Sequence, residues 1–211
     1  RRRLPIEARF AGDAYPTISP DGRRLGYLTG DLGPYVIHDL VTGERVEFAE
    51  ISSGRADARA TYVTPGQTPG FWSADGSRLL IWGGRDLDGD GSTVLLLGID
   101  GSLREVSQPA AVPAGFIGND AVVWISSSEE HTEEPLTELA ATITSLDGAV
   151  TRTVPLRPVV PWEMTSTFAW TGTVSPDGQQ LLILDNTRTT DEALVYQFYL
   201  ADGSQLGELD V

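Results

Sequence analysis

The chain has 211 residues, 40% hydrophobic and 21% charged, which suits a folded domain able to bury its own core. Its formal charge of −15 sets it against phosphate backbones and anionic lipid, and suits cations or a basic partner as well as plain solubility. With no Cys and two His, disulfide and thiolate chemistry are absent, and a His-rich zinc site or a Ser-His-Asp triad has few residues to draw on.

The sequence opens on Arg1-Arg2-Arg3 with no Met, as a processed protein or an excised domain would. No apolar run approaches the ~20 residues of a membrane span, and no signal peptide is visible. Residues 1–13 read as an N-terminal arm, with 4–10 a candidate closing strand.

A repeat then begins. Ser19-Pro20-Asp21-Gly22 precedes an apolar stretch at 25–28. Ser73-Ala74-Asp75-Gly76 precedes 79–82, and Ser175-Pro176-Asp177-Gly178 precedes 181–184. A degenerate copy fills the gap: Gly115-Phe116-Ile117-Gly118-Asn119-Asp120, then 121–125. Downstream of each copy comes a second turn, at Thr42-Gly43, Asp100-Gly101, Asp147-Gly148 and Asp202-Gly203. Pro presets φ in such a turn, Asp bonds the local backbone, and Gly tolerates the left-handed conformation that ends it. The flanking runs are rich in Val, Ile, Leu, Trp and Tyr, as strands prefer. Some are apolar without interruption, such as 79–82 and 94–97, so both of their faces should be covered.

Two turns and four strands per unit predict an all-β fold, a β-propeller of four-stranded antiparallel blades with four blades in this chain. The propeller domain spans 14–211, with blades at about 14–50, 68–108, 114–156 and 168–211. The helix pattern is nowhere long enough; 136–141 comes nearest and is too short to nucleate alone. Trp72, Trp82, Trp124 and Trp170 fall on strands and read as inter-blade packing. His38, beside Asp39 on a strand, reads as a buried structural residue, and His131 as an exposed one among glutamates. Four blades rarely close a ring alone. Three arrangements stay open: part of a larger propeller, a compact four-bladed ring, or a ring completed by a second chain.

The Ser-Pro-Asp-Gly turn followed by a run such as Arg24-Leu25-Gly26-Tyr27 resembles the WD-like repeat of TolB-type propeller proteins, over nearly the whole chain after residue 13. The Trp-Asp and Gly-His pairs of true WD repeats are absent. The resemblance implies protein or peptide binding, or a propeller appended to a hydrolase.

In a blade, the A–B and C–D turns lie at one end and the B–C loops at the other. The B–C loops are longer, varied and acidic, which marks a binding face. They hold Asp31; then Asp86, Asp88 and Asp90; then Glu129, Glu130, Glu133 and Glu134; then Asp185, Asp191 and Glu192. Trp162, in the long segment before the fourth blade, reads either as an interface anchor or as core packing. Asp86-Leu87-Asp88-Gly89-Asp90-Gly91-Ser92 has the Asp-x-Asp-x-Asp-Gly spacing of calcium loops, with carboxylates of Asp86, Asp88 and Asp90 and the carbonyl of Ser92 as ligands. Leu97 stands where an EF-hand needs Glu, so the alternatives are a calcium-bound hairpin loop and an Asp/Gly-rich hairpin without metal. Calcium is the one cofactor suggested.

No Gly-x-Ser-x-Gly elbow, His-Glu-x-x-His or phosphate-cradling loop occurs, so no enzyme activity is expected of this chain. The expected function is a non-catalytic binding or scaffold propeller that presents an acidic loop face to a protein or peptide. The alternative is a regulatory propeller of a larger envelope-associated or hydrolase protein. An extracellular or cell-envelope setting is favoured over the cytoplasm, because calcium is abundant there.

Overall fold

The computed structural model describes residues 16–29, 34–52, 62–63, 70–84, 92–106, 111–127, 139–157, 170–185 and 194–210. The fold is all-β, with four blades of four antiparallel strands, and every regular element among the described residues is a strand. No helix there is long and apolar enough to cross a membrane. The chain divides into two compact units, Arg1–Ser107 and Gln108–Val211.

In the first unit, blade 1 comprises β1 (Thr17–Ile18), β2 (Arg24–Leu28), β3 (Pro34–Asp39) and β4 (Arg45–Ser52), each antiparallel to the next. A two-residue strand, β5 (Tyr62–Val63), pairs in parallel with β4. Blade 2 comprises β6 (Phe71–Trp72), β7 (Arg78–Gly84), β8 (Ser92–Gly98) and β9 (Leu103–Glu105). Val63 of β5 also bridges Gly84 of β7, so both blades run into one nine-stranded sheet.

Strand alternation explains the core of this unit. Gly26 faces Ile37 and Leu28 faces Tyr35 across the ladder, so these four share one side of blade 1. Leu28, Tyr35, Ile37 and Phe48 pack with Trp72, Leu79, Ile81, Leu95 and Leu97 of blade 2 in one buried cluster. Each fully buried side chain of this kind contributes roughly 1.5–3 kcal/mol. Gly26 is the close-approach point: a Cβ there would stand 2.7 Å from both Leu79 Cδ2 and the Tyr35 hydroxyl. Two polar links reinforce the stack, Thr17 Oγ1 to the Gly70 carbonyl at 2.9 Å and the Arg24 guanidinium to the Gly76 carbonyl at 3.1 Å. The runs at 79–81 and 94–97 are buried on both sides, as their uninterrupted apolar sequence requires.

The second unit repeats the scheme. Blade 3 comprises β10 (Ala111–Ile117), β11 (Ala121–Ser127), β12 (Leu139–Ser145) and β13 (Val150–Leu156). Blade 4 comprises β14 (Trp170–Val174), β15 (Gln180–Asp185), β16 (Leu194–Tyr199) and β17 (Gln205–Asp210). Gly172 of β14 lies on Ile125 and Ala114 of blade 3: a Cβ there would overlap Ile125 Cδ1 and stand 3.0 Å from Ala114 Cβ. The Arg152 guanidinium of β13 donates to the Ala201 carbonyl in the last turn of blade 4.

Candidate functional site

The two ends of each blade are built differently. At the turn end, the repeated Ser-x-Asp-Gly closes on itself. In blade 1 the Ser19 hydroxyl donates to Asp21 Oδ1 at 2.5 Å, and Asp21 Oδ1 also accepts the Arg23 amide at 3.0 Å. The same Ser19 oxygen accepts the Arg24 amide at 2.8 Å, and the Gly22 amide donates to the Ser19 carbonyl. Blade 2 repeats this with Ser73, Asp75, Ser77 and Arg78, and blade 4 with Ser175, Asp177, Gln179 and Gln180. Gly22, Gly76 and Gly178 take φ of 70°, 65° and 69°, which explains the glycine at the fourth place.

The C–D turns use the same chemistry. Asp39 Oδ1 accepts the amides of Val41 and Thr42, both at 2.9 Å, while its Oδ2 takes the Arg23 guanidinium at 2.7 Å. Asp100 and Asp202 each accept the amide and hydroxyl of the serine two residues on. The two turns of a blade are also joined: the amides of Leu40, Ile99 and Leu200 donate to the carbonyls of Arg23, Ser77 and Gln179. The turn end thus uses its carboxylates internally.

Electrostatics follow from these bonds. The hydroxyls of Ser19, Ser102, Ser175 and Ser204 lead in holding Asp21, Asp100, Asp177 and Asp202 below the ordinary carboxylate range. For Asp75 the lead belongs to the Ser77 amide. Asp39 falls furthest, to about 2, chiefly through the Thr42 amide. A carboxylate depressed on folding stabilises the fold above its unfolded pKa, and that contribution is lost as pH falls through the folded value. Melting temperature should therefore fall between about pH 4 and pH 2. Asp39→Asn should flatten that slope and lower the neutral-pH Tm by roughly 2–4 °C, the shift given by about 1 kcal/mol in a chain of this size. Thermal melts across that range check it; an unchanged slope would show that Asp39 carries none of the acid sensitivity.

At the opposite end, strands B and C of each blade are joined by residues 30–33, 85–91, 128–138 and 186–193, which lie outside the described residues. Asp31, Asp86, Asp88, Asp90, Glu129, Glu130, His131, Glu133, Glu134, Asp191 and Glu192 all fall there, and Trp162 lies in the undescribed 158–169. Ser92 is the first residue of β8, paired with Gly84, and Asp185 the last of β15, paired with Leu194. The proposed ligands and binding residues are therefore not brought together among the described residues, which contain no group of three potential metal ligands. The N-terminal arm, residues 1–13, lies outside them as well.

Three of the remaining candidates, His38, Trp72 and Trp124, are buried. His38 of β3 is 4% exposed, and its Nδ1 has no hydrogen-bond partner among the described residues. Burial first, then the Arg45 charge, push its pKa down against the opposing pull of Asp39. Trp72 belongs to the buried cluster of the first unit. Trp124 is buried in blade 3, and its indole N–H donates to Thr144 Oγ1 at 2.8 Å. Trp82 and Trp170 stand on β7 and β14. Sequence reading overlooked the two arginine-to-carbonyl links between blades and the glycines Gly26 and Gly172. A glycine inside a strand-like run is the signal that could have exposed the close approaches.

No protein-family model matches the chain, and no curated protein does. Solved structures do. An oligogalacturonate lyase in complex with manganese is 15% identical, with a TM-score of 0.53 over 92% of this chain and 52% of its own. TolB from Acinetobacter baumannii is 14% identical, with a TM-score of 0.55 over 94% of this chain and 43% of its own. The β-propeller domain of the trilobed protease from Pyrococcus furiosus is 13% identical, with a TM-score of 0.53 over 93% of this chain and 55% of its own. The chain spans about half the length of these proteins. At such identities the likeness carries the fold alone: these are four blades of propeller type.

Proposed function

We propose that this chain is the propeller part of a larger envelope-associated or hydrolase protein, and that it binds a basic protein or peptide through its acidic B–C loops without catalysing a reaction itself. The observation that supports this is the contrast between the two ends of each blade. The turn end satisfies its carboxylates with its own amides, hydroxyls and Arg23. The sequences that join B and C strands carry eleven of the chain's 30 acidic residues, including Glu129, Glu130, Glu133 and Glu134. Propellers similar in fold include TolB and a protease domain, which suits a binding or accessory role in a larger protein. An envelope or extracellular setting accords with this reading. The test is titration with an arginine-rich peptide and a neutral peptide of equal length. Binding of the first alone, weakening steeply as salt rises, is the expected result. Equal binding of both peptides, or of neither, would refute the reading.

Within the same reading, Asp86, Asp88, Asp90 and the Ser92 carbonyl hold a calcium ion that orders their loop. The alternating carboxylates would repel one another without a cation, and their spacing suits an oxygen-ligated one. Calorimetry on the EDTA-treated chain should show saturable calcium binding with a raised Tm, both lost in Asp88→Ala. No heat and no Tm shift at millimolar calcium would dismiss the ion and leave the acidic face standing.

A further inference from the structure

Equivalent positions in the blades show which sheet faces are meant to be covered. Counting seven residues from the first Ser of the turn reaches Gly26 in blade 1 and Leu182 in blade 4. The ladders then align Leu28, Tyr35 and Ile37 with Leu184, Val195 and Gln197. In blade 1 this face is closed by blade 2: Leu28, Tyr35 and Ile37 are buried against Leu79, Ile81, Leu95 and Leu97. Blade 3 in turn meets Gly172 of blade 4 with Ile125 and Ala114.

The two faces of blade 4 differ in burial. Leu181, Ile183, Tyr196 and Phe198, on the side of Gly172, are fully buried. On the other side Leu182, Leu184, Val195 and Gln197 are only partly buried, and Tyr199 is 41% exposed. Across this face the Gln197 side-chain amide donates to the Gln180 side chain, Nε2 to Oε1 at 2.7 Å. What remains is an apolar strip of Leu182, Leu184 and Val195, bordered by Tyr199.

We propose that this face of blade 4 is the stacking surface for a further four-stranded blade of the same repeat, carried on the same polypeptide. The occupant follows from continuity with the interfaces already present. Within each unit, the equivalent face is covered by the apolar B and C strands or the glycine-bearing A strand of the blade that comes next in sequence. A second copy offering its own blade 1 is disfavoured, because Tyr27, Val36 and His38 on the rear of that blade are already buried within the chain. The proposal rests on the reading of the chain as part of a larger propeller protein, but not on its binding a basic peptide.

The absence of cysteine makes the test direct. Single variants Gln197→Cys and Tyr199→Cys are prepared in the 211-residue chain and in the polypeptide encoded by its whole reading frame, with Ile37→Cys as the covered counterpart. Thiol labelling with a maleimide is timed in each. The expected result is rapid labelling of both face variants in the 211-residue chain, slowed at least about tenfold in the longer polypeptide, the range expected when a site opens only transiently. Ile37→Cys should be slow in both. Equal rates in the two settings, or a reading frame with no blade following, would overturn the proposal. Protection in the 211-residue chain that grows with concentration would assign the face to a second copy instead, which also overturns it. Failure of the peptide titration would leave these labelling outcomes unchanged.

Discussion

Gly203→Ala should destabilise the second unit by about 3 kcal/mol or more, while Gly43→Ala in the first should cost about 1 kcal/mol. The two glycines hold the same place in their C–D turns. Each amide donates at 2.8 Å to the carbonyl four residues back, Gly43 to Asp39 and Gly203 to Tyr199, and each takes a left-handed φ, 80° and 74°. The penalty for placing an L side chain in that conformation is therefore shared. The surroundings differ. A Cβ on Gly43 meets nothing within 4 Å, whereas one on Gly203 would overlap the Pro155 carbonyl oxygen and stand 2.9 Å from its carbon. Both atoms are backbone and cannot swing aside. The Gly203 carbonyl also accepts the Arg157 amide at 2.9 Å, so moving the turn breaks a second tie to blade 3. Denaturant melts of the two variants should differ by about 2 kcal/mol or more. Equal losses would show that blade 4's turn does not seat on blade 3 as described.

The second large effect is expected at Trp124. Its side chain is 1% exposed, and truncation to Ala should cost about 3–5 kcal/mol. Trp124→Phe isolates the polar part. It keeps most of the ring area but leaves the buried Thr144 hydroxyl without the indole donor, at a cost of about 1–3 kcal/mol. Adding Thr144→Val removes the stranded group, so the double variant should be more stable than the sum of single losses implies, by at least about 0.5 kcal/mol. Strict additivity would mean that the bond contributes nothing to blade 3.

How far the sequence reveals this structure depends on how local the physics is. Ser19 to Gly22 and its two counterparts are readable because every bond that closes the turn lies within six residues. Blade 3 is harder: its A–B turn keeps the left-handed glycine, Gly118 at φ 60°, but has lost the Ser-x-Asp pair. The burial of Leu79, Leu80 and Ile81 is readable from their unbroken apolar run. β5 is not, because Tyr62 and Val63 form a strand only by pairing with Ile51, Ser52 and Gly84. The links from Arg24 to Gly76 and from Arg152 to Ala201 are equally hidden, since they depend on how adjacent blades stack. The candidate site rests on composition and on loop position, with residues such as Glu129 and Asp88 placed by the turn pattern alone. Their charge is local information, whereas their convergence would be tertiary.

The assignment of binding to the loop end, and of a purely structural role to the turn end, can be tested by removing charge from each. One variant carries Glu129→Gln, Glu130→Gln, Glu133→Gln and Glu134→Gln; the other carries Asp21→Asn, Asp39→Asn and Asp177→Asn. Affinity for an arginine-rich peptide is measured at low salt beside the melting temperature of each. The account predicts that the loop variant loses at least about tenfold in affinity with its Tm nearly unchanged, and that the turn variant melts earlier but binds as before when folded. Binding lost with the turn aspartates and retained without the loop glutamates would contradict it.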